Sequence, residues 1–400
     1  MHIKKLRKFV SNGQAILSAE AESKSFDKTQ NIFFAYPDEY LYCLPENADP
    51  FLPAAMIPAM MYGEDLTIDA PLSRELLDNQ SLIQDIFITW YPEDFKRIRI
   101  TASEIIDTEP YFLKQNATFF SLGVDSMYTM LKYLKSNNPT PGKEITGLIY
   151  MKGLELPLSA YKDHQEIHVT QSINELTLRY NLDVIIGETN IQDVFPIEWE
   201  TRYSGPGLAS VALSLSKGFD HIYIPSSHSY ANLAANPCSP LTDGLWSSGQ
   251  VKIIHDGAEA ERAEKIERLI TKDDYALNKL RVCIDNEGGD YNCGKCWKCI
   301  RTMITLKILG KLKNSNSFPD ALPDNYTNSL RTYYQSSLKF TMENYKLAQK
   351  YTDKQMEQVL GREIRLGKLD LIRDKMPIYF LFNEMLYYYW WKALKKLGVS

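Results

Sequence analysis

Four of the six cysteines lie in one short stretch of the chain, at Cys283, Cys293, Cys296 and Cys299. Thiolates at this spacing suit one tetrahedral metal ion, because a short turn places the last three at three corners and the upstream segment supplies Cys283. The pattern predicts a structural zinc site. An iron–sulfur cluster and disulfide bonds are the alternatives that the spacing leaves open.

A second motif lies upstream of the cysteines. Residues 117–120 have the pattern of a short buried strand, and they run into Ser121-Leu-Gly-Val-Asp-Ser126 and a helical pattern from Met127 to Leu134. A strand, a tight polar turn and a helix start form a phosphate-binding arrangement, since backbone N–H groups and the helix dipole favour an anion there. An ordinary turn capped by serine is the alternative.

Together the two motifs resemble the N-type ATP pyrophosphatase (PP-loop) superfamily. Ser-Leu-Gly-Val-Asp-Ser is similar to its Ser-Gly-Gly-x-Asp-Ser loop. The 7-cyano-7-deazaguanine synthases of that superfamily carry a cysteine, a spacer, Cys-Gly-x-Cys-x-x-Cys and a following arginine. The matching residues are Cys283, Cys293, Gly294, Cys296, Cys299 and Arg301. The resemblance covers residues 115–305.

This sequence departs from the resembled pattern at two places. Leu122 replaces the first glycine of the loop, which puts a side chain where the backbone would approach pyrophosphate. The tyrosine-glycine-glutamine stretch of the synthases is absent, because the chain reads Tyr150-Met-Lys-Gly-Leu-Glu-Leu-Pro157 there. We therefore expect a different acceptor substrate.

The resemblance implies an adenine nucleotide alpha hydrolase-like sheet that binds ATP and Mg²⁺ and cleaves ATP between the α and β phosphates. It implies catalytic roles for Ser121, Asp125 and Ser126, with Asp125 as the candidate Mg²⁺ ligand. The nucleotide-binding residues implied are Ser121, Leu122, Gly123, Val124, Asp125 and Ser126. The expected enzyme is an AMP-forming ligase that adenylates a small-molecule or peptide acceptor.

Other candidates follow later strand-like runs. Arg262 and Lys265 lie three positions apart and share a helix face, which suits them to neutralise pyrophosphate. We take Arg262 as a nucleotide-binding residue and Lys265 as a catalytic one, against a solvated helix face as the alternative. His255 is a candidate for proton transfer or for a hydrogen bond within a turn. Cys238 is a candidate nucleophile or a bystander.

The periodicity predicts an α/β fold with a doubly wound parallel sheet. Strand-like runs occur at 117–120, 145–151, 182–188, 221–225 and 251–255, and helical patterns occur at 126–135, 162–180, 207–217 and 257–271. Ligands bind beyond the carboxyl ends of such strands. We therefore expect one crevice formed by the residues that follow the strands, which are 121–126, Lys152, 187–190, 226–229 and 255–257. We expect an N-terminal α+β domain over 1–110, an ATP-binding domain with the cysteine knot over 111–312, and a C-terminal helical region over 313–400.

Composition and charge fit a cytoplasmic enzyme. The basic N-terminus is not followed by an apolar run of signal-peptide length, and the clustered cysteines favour a reducing compartment. Lysine and arginine outnumber aspartate and glutamate by 17 to 9 in residues 301–400. That surplus motivates a tRNA-modifying enzyme as an alternative, although no recognised RNA-binding motif is visible. Leu122 motivates a second alternative, an inactive nucleotide-binding protein.

The most aromatic stretch of the chain runs from Pro377 to Leu397. It is interrupted by Asn383 and Glu384, so we do not expect it to span a bilayer. Its bulky residues cover more than one narrow face, which favours packing against the protein or a second subunit in a homodimer. A membrane-interface helix is the alternative.

Overall fold

The computed structural model describes residues 1–113, 115–137, 140–161, 163–283, 291–330 and 335–374. The chain forms two compact units, Met1–Ala260 and Glu261–Ser400. The sequence predicted three parts instead, with divisions after residues 110 and 312. The aromatic stretch from Pro377 to Leu397 lies outside the described residues.

In the described part of the first unit, ten strands form one sheet. They are β1 (His2–Ser11), β2 (Gln14–Glu22), β3 (Gln30–Pro37), β4 (Leu66–Ser73), β5 (Ile100–Ile106), β6 (Asn116–Phe119), β7 (Gly147–Lys152), β8 (Asp183–Thr189), β9 (His221–Pro225) and β10 (Lys252–Asp256). Their order is β10-β9-β6-β7-β8-β3-β2-β1-β4-β5. The strands from β10 to β8 are parallel, which confirms the predicted α/β class and these five strands.

The sheet continues from the five parallel strands into the N-terminal residues. Phe34 and Ala35 of β3 pair antiparallel with Thr189 and Glu188 of β8. Strands β1 to β3 form an antiparallel meander, and β4 and β5 extend the sheet in parallel beyond β1. The part of the chain predicted as a separate α+β domain therefore shares one sheet with the predicted ATP-binding domain.

The helices of the first unit are α1 (Phe51–Tyr62), α2 (Arg74–Trp90), α3 (Val124–Lys132), α4 (Asp163–Tyr180), α5 (Ile191–Val194) and α6 (Ser204–Ser214). Helix α1 contains Pro58 in its interior. Proline has no N–H to donate to the carbonyl of Ala54, four residues earlier. The Tyr203 hydroxyl instead donates to Ala54 O at 2.5 Å, which satisfies the buried acceptor.

Helices and loops cover both faces of the parallel strands. Asp256 accepts a hydrogen bond from Thr129 of α3, whereas the preceding residue, His255, contacts Asp243 in the loop after β9. Because successive strand residues point to opposite faces, α3 and the Asp243 loop lie on opposite sides of β10. This is the covering that a doubly wound sheet requires.

The second unit is helical in its described residues. Its helices are α7 (Arg262–Arg268), α8 (Asp274–Asn278), α9 (Trp297–Ile308), α10 (Gln335–Lys350) and α11 (Lys354–Asp374). Ile300, Ile304 and Ile308 recur every four residues on α9, so they form one apolar stripe. That stripe belongs to a core cluster that includes Leu347 and Leu360 of the next two helices.

Helix α7 is shorter than the helical pattern predicted over 257–271. Glu261 and Glu264 form a capping box, in which each side chain accepts a backbone N–H of the other's residue. The capping box fixes the start of the helix at Arg262. Among the described residues, no helix combines the length and the apolar character that a membrane crossing needs.

Candidate functional site

The Ser121 loop, residues 121–126, lies where the chain order reverses along the sheet. Strand β6 has β7 on one side and β9 on the other. The chain passes from β6 to β7 and β8, and it then returns to β9 and β10 on the opposite side of β6. Loops at the carboxyl ends of two strands that diverge in this way leave a crevice between them, where α/β proteins bind ligands.

Hydrogen bonds hold the two serines of the Ser121 loop together. The Ser121 N–H donates to Ser126 Oγ at 3.2 Å, and the two Oγ atoms lie 3.4 Å apart. Ser126 Oγ donates in turn to Gly123 O at 3.1 Å. Gly123 precedes α3, and in the described residues no side chain caps this helix. An uncapped helix start next to converging hydroxyls is suited to an anion.

Leu122 has a left-handed backbone, with φ of 64°. This conformation costs a residue with a Cβ atom about 1–2 kcal/mol, and it explains why glycine suits the position. The Leu122 side chain is 0% exposed. It therefore packs inside the protein and not on the surface of the Ser121 loop, where the sequence had predicted an obstruction.

A neighbouring loop approaches the Ser121 loop from β9. Ser227 Oγ donates to Asp125 Oδ2 at 3.4 Å, and Asp125 is itself buried. The Ser226 N–H donates to Asp256 O at 2.7 Å, which connects the same loop to the end of β10. The structure thus brings together three of the loops that were predicted to share a crevice.

Asp256 connects the end of β10 to helix α3, and the sequence did not predict this contact. Its carboxylate accepts hydrogen bonds from Thr129 at 2.8 Å, Lys132 at 2.8 Å and Tyr133 at 2.9 Å. Lys132 also donates to Glu259 at 2.8 Å. The sequence does show an acidic residue at the end of a buried strand. The side chains that donate hydrogen bonds to it lie more than a hundred positions earlier, so the sequence alone does not identify them. This network fixes the helix that begins at the Ser121 loop.

The Asp256 carboxylate also determines the ionisation of its neighbours. Burial would lower the pKa of Lys132, but the carboxylates of Asp256 and Glu259 outweigh it and raise that pKa. Burial, with Asp256 adding to it, raises the pKa of Tyr223 to about 12. Lys132 therefore stays cationic and Tyr223 stays neutral at physiological pH.

Other residues of the predicted crevice have different surroundings. Lys152 and Gly187 line a cavity of about 250 Å³ whose other lining residues are Gly13, Gln14, Ala35, Pro37, Ile186 and Glu188. Asn190 accepts the Phe33 N–H at 3.0 Å and donates to Asn31 O at 2.7 Å, so it fastens β3. His221 is hydrogen-bonded to Asn116.

The four cysteines of the second unit form the cluster that their spacing predicted. Their Sγ atoms all lie within 4.8 Å of one another, so the cluster can hold a metal ion. The Cys293 and Cys299 sulfurs are 3.9 Å apart, and the Cys296 and Cys283 sulfurs are 4.0 Å apart. A tetrahedral ion with bonds of about 2.3 Å to sulfur needs sulfurs about 3.8 Å apart. The observed separations fit that geometry.

Backbone and amide groups orient the four-cysteine cluster. The Cys296 N–H points at Cys293 Sγ at 3.3 Å, and the Cys299 N–H points at Cys296 Sγ at 3.5 Å. Asn292 Oδ1 accepts the Cys283 N–H at 3.2 Å. Contact with the Cys296 thiol and burial raise the pKa of Cys299. A divalent cation reverses this penalty on the thiolate, because it stabilises negative sulfur.

Arg262 and Lys265 both lie on α7 in the second unit. Lys265 is only 1% exposed, which a solvated helix face does not explain. Arg301 of α9 is also buried, with its guanidinium carbon 4.3 Å from the centre of the Trp297 ring and 4.0 Å from that of Phe340. Its Nε and Nη1 have no hydrogen-bond acceptor among the described residues. A buried guanidinium whose nitrogens lack acceptors favours an anionic ligand.

No family model matches the chain, and neither the curated proteins nor the solved structures contain a match to it. A function must therefore be inferred from the residues of this chain and their geometry.

Proposed function

We propose that this protein is an AMP-forming, ATP-dependent ligase of the PP-loop type. The observation that carries the proposal is the position of the Ser121 loop, at the carboxyl end of β6 and at the point where the strand order reverses. Two further observations support it. The side chain of Leu122 is buried, and the loop after β9 contacts Asp125.

The proposed chemistry begins with an acceptor oxygen that attacks the α phosphate of ATP. A new bond forms between that oxygen and phosphorus, the bond to the β-phosphate oxygen breaks, and pyrophosphate leaves. An amine, ammonia or a sulfur nucleophile then displaces AMP from the activated acceptor. The Ser121 and Ser126 hydroxyls and the N–H groups at the start of α3 stabilise phosphate charge.

Mg²⁺ would neutralise charge on the phosphates, with Asp125 as its ligand from this chain. Asp125 belongs to the Ser121 loop and its carboxylate accepts a hydrogen bond from Ser227, so this candidate ligand lies at the switch point. The roles predicted from the sequence for Arg262, in nucleotide binding, and for Lys265, in catalysis, stay predictions.

We infer that the ion of the four-cysteine cluster is zinc with a structural role. Four sulfur ligands leave no open position on a tetrahedral ion, which is the arrangement of structural zinc sites. Cys296 and Cys299 are buried, and Cys299 lies in the first turn of helix α9, whose stripe Ile300, Ile304 and Ile308 lies in the core of the second unit. Metal binding there therefore stabilises the fold.

Nucleotide binding tests the first step of the proposal. Isothermal titration of the full chain with Mg-ATP should show binding, and Ser121→Ala and Asp125→Ala should each weaken it by about 10-fold or more. Asp78→Ala, an exposed position on α2, is the matched control and should leave binding unchanged. Equal affinities for all four proteins would place the nucleotide elsewhere or nowhere.

A further inference from the structure

Three side chains of the first unit form a second group of metal-type ligands. Cys238 and Asp243 lie in the loop between β9 and β10, and His255 lies on β10. Each offers one ligand atom, and these sulfur, oxygen and nitrogen atoms all lie within 4.8 Å of one another. The proposed ligase chemistry uses none of the three.

Asp243 is at the centre of this group. Its Oδ2 accepts hydrogen bonds from His255 Nδ1 at 2.7 Å and from Cys238 Sγ at 3.4 Å, and its Oδ1 accepts the Ser239 N–H at 3.2 Å. The Asp243 side chain is 0% exposed. Among the described residues, neither lysine nor arginine pairs with it. A buried carboxylate without such a cation is costly, and a bound cation would compensate it.

The His255 ring is incompletely bonded. Its side chain is 5% exposed, and its Nε2 has no hydrogen-bond partner among the described residues. A purely structural histidine buried to this extent normally has both nitrogens bonded. The ring is therefore held through Nδ1 alone, and a small shift would break no other hydrogen bond of the ring.

We propose that Cys238, Asp243 and His255 bind one divalent transition-metal ion, for which zinc is the best match. Mixed sulfur, nitrogen and oxygen ligands at about 2.0–2.3 Å are typical of zinc, and they place N and O about 3.4 Å apart and S and O about 3.6 Å apart. The observed separations from Asp243 Oδ2 are 2.7 Å to nitrogen and 3.4 Å to sulfur. The ion needs the ring to move by about 0.7 Å and replaces the protons now directed at Oδ2.

The loop that carries two of the three ligands packs closely against helix α6. A Cβ atom on Gly205, at the start of α6, would lie 1.9 Å from Pro237 O and 3.1 Å from Asp243 Oδ1. The loop therefore packs directly on the backbone of α6, which holds Asp243 in place. Cys238 is fixed in turn, because its N–H donates to Asn236 Oδ1 at 2.9 Å.

Three protein ligands leave one tetrahedral position for water or an exogenous ligand, as in catalytic zinc sites and unlike the four-cysteine cluster. His255 points to the face of β10 opposite to the face where Asp256 meets α3. The ion would therefore be separate from the Ser121 loop, and a group that binds zinc, such as a thiol or a carboxylate, is the class of ligand that the open position would take.

Metal content of the full chain tests the proposal. Protein purified with zinc present should carry one more equivalent of zinc than the Cys238→Ser and His255→Gln variants, each measured by elemental analysis. Cys43→Ala changes the one cysteine outside both groups, and it should retain the wild-type content. Equal zinc content in the wild type and both variants would overturn the proposal, whatever the four-cysteine cluster holds.

Cobalt uptake by the wild-type protein provides a test that does not depend on how the variants fold. After brief chelation that leaves the four-cysteine metal in place, the wild type should take up one Co²⁺ and develop a thiolate-to-cobalt charge-transfer band. The His255→Gln variant should bind Co²⁺ at least about 10-fold more weakly. Absence of uptake by the wild type, or uptake without a thiolate band, would contradict the proposed ligand set.

Discussion

The Oγ atoms of Ser121 and Ser126 lie 3.4 Å apart across the turn that joins β6 to α3, and Ser126 Oγ also accepts the Ser121 N–H. The Ser126 hydroxyl therefore shapes the loop, and we propose that it also binds phosphate. Ser126→Ala should weaken Mg-ATP binding by about 10-fold and also lower the free energy of unfolding by about 1 kcal/mol. Calorimetric titration and denaturant unfolding measure the two effects. A loss of affinity without any loss of stability would show that the hydroxyl does not shape the loop.

Substitutions at Leu122 test the backbone conformation of the Ser121 loop. Either truncation removes a buried side chain, which costs about 2–5 kcal/mol. Leu122→Gly should nevertheless be less destabilised than Leu122→Ala, because glycine relieves about 1 kcal/mol at φ of 64°. Denaturant unfolding of both variants checks this order, which is the reverse of the usual one. Tighter ATP binding by Leu122→Gly would instead show that the leucine obstructs the loop.

Removal of one cluster cysteine should destabilise the second unit. Cys296→Ser leaves three sulfurs on an ion that needs four, so the variant should lose one metal equivalent and much of its soluble yield. Elemental analysis and thermal unfolding measure the two losses, with Cys43→Ala as the control. Iron in place of zinc, or a Cys296→Ser protein with normal metal content and stability, would refute the structural zinc assignment.

The Asp256 network should stabilise the C-terminal half of α3. Asp256→Asn removes the buried partner of Lys132, and we expect a loss of about 1–3 kcal/mol, less than for a fully buried pair because Glu259 also contacts Lys132. Glu259→Gln is the matched control, since that carboxylate is more exposed, and should cost less than about 1 kcal/mol. Denaturant unfolding compares the two variants. Equal effects would mean that Asp256 has no special role.

Glu343 should make stability depend on pH. Its carboxylate accepts the backbone N–H groups of Arg262 and Ala263, and burial, against an opposing effect of Arg262, raises its pKa to about 7. Because the folded pKa exceeds the ordinary value of 4.5, the folded state binds the proton more tightly. The stabilisation is present below pH 4.5 and is lost as pH rises to about 7, by about 3 kcal/mol at most.

The measurement for Glu343 is the difference in unfolding free energy between wild type and Glu343→Gln over this pH range. The comparison cancels the pH dependence of thiolate binding to metal, which both proteins share. The wild type should lose stability relative to the variant between pH 5 and pH 8. A difference that does not change with pH would contradict the raised pKa.

The five parallel strands could be predicted because they are buried and therefore apolar; all four residues of β6 are buried, for example. Strand β1 could not, since its polar, partly exposed residues such as Lys4 and Arg7 lack an apolar run. The apolar stretch at Phe51 forms α1 despite Pro58, because a tyrosine far along the chain satisfies the carbonyl of Ala54. Local sequence does not contain that information.

The residues of the candidate site also differ in whether the local sequence predicts them. The Ser121 loop and the four cysteines are local motifs, so their spacing was enough to predict them. Asp256 with Thr129, and Asp243 with His255, depend on how distant or differently oriented segments meet. The contacts of Arg301 with the Trp297 and Phe340 rings likewise require α9 and α10 to pack together. Contacts of this kind follow from tertiary structure.

The identity of the products is the most direct test of the proposed ligase activity. The full chain is incubated with Mg-ATP labelled at the α phosphate and with pools of carboxylates, amines and peptides, and the nucleotides are separated by chromatography. We expect AMP to be the labelled product, with an equal amount of pyrophosphate in an enzymatic pyrophosphate assay, and both to be lost in Ser121→Ala and Asp125→Ala and retained in Asp78→Ala. Formation of ADP and phosphate by the wild type would contradict cleavage between the α and β phosphates and with it the proposed function.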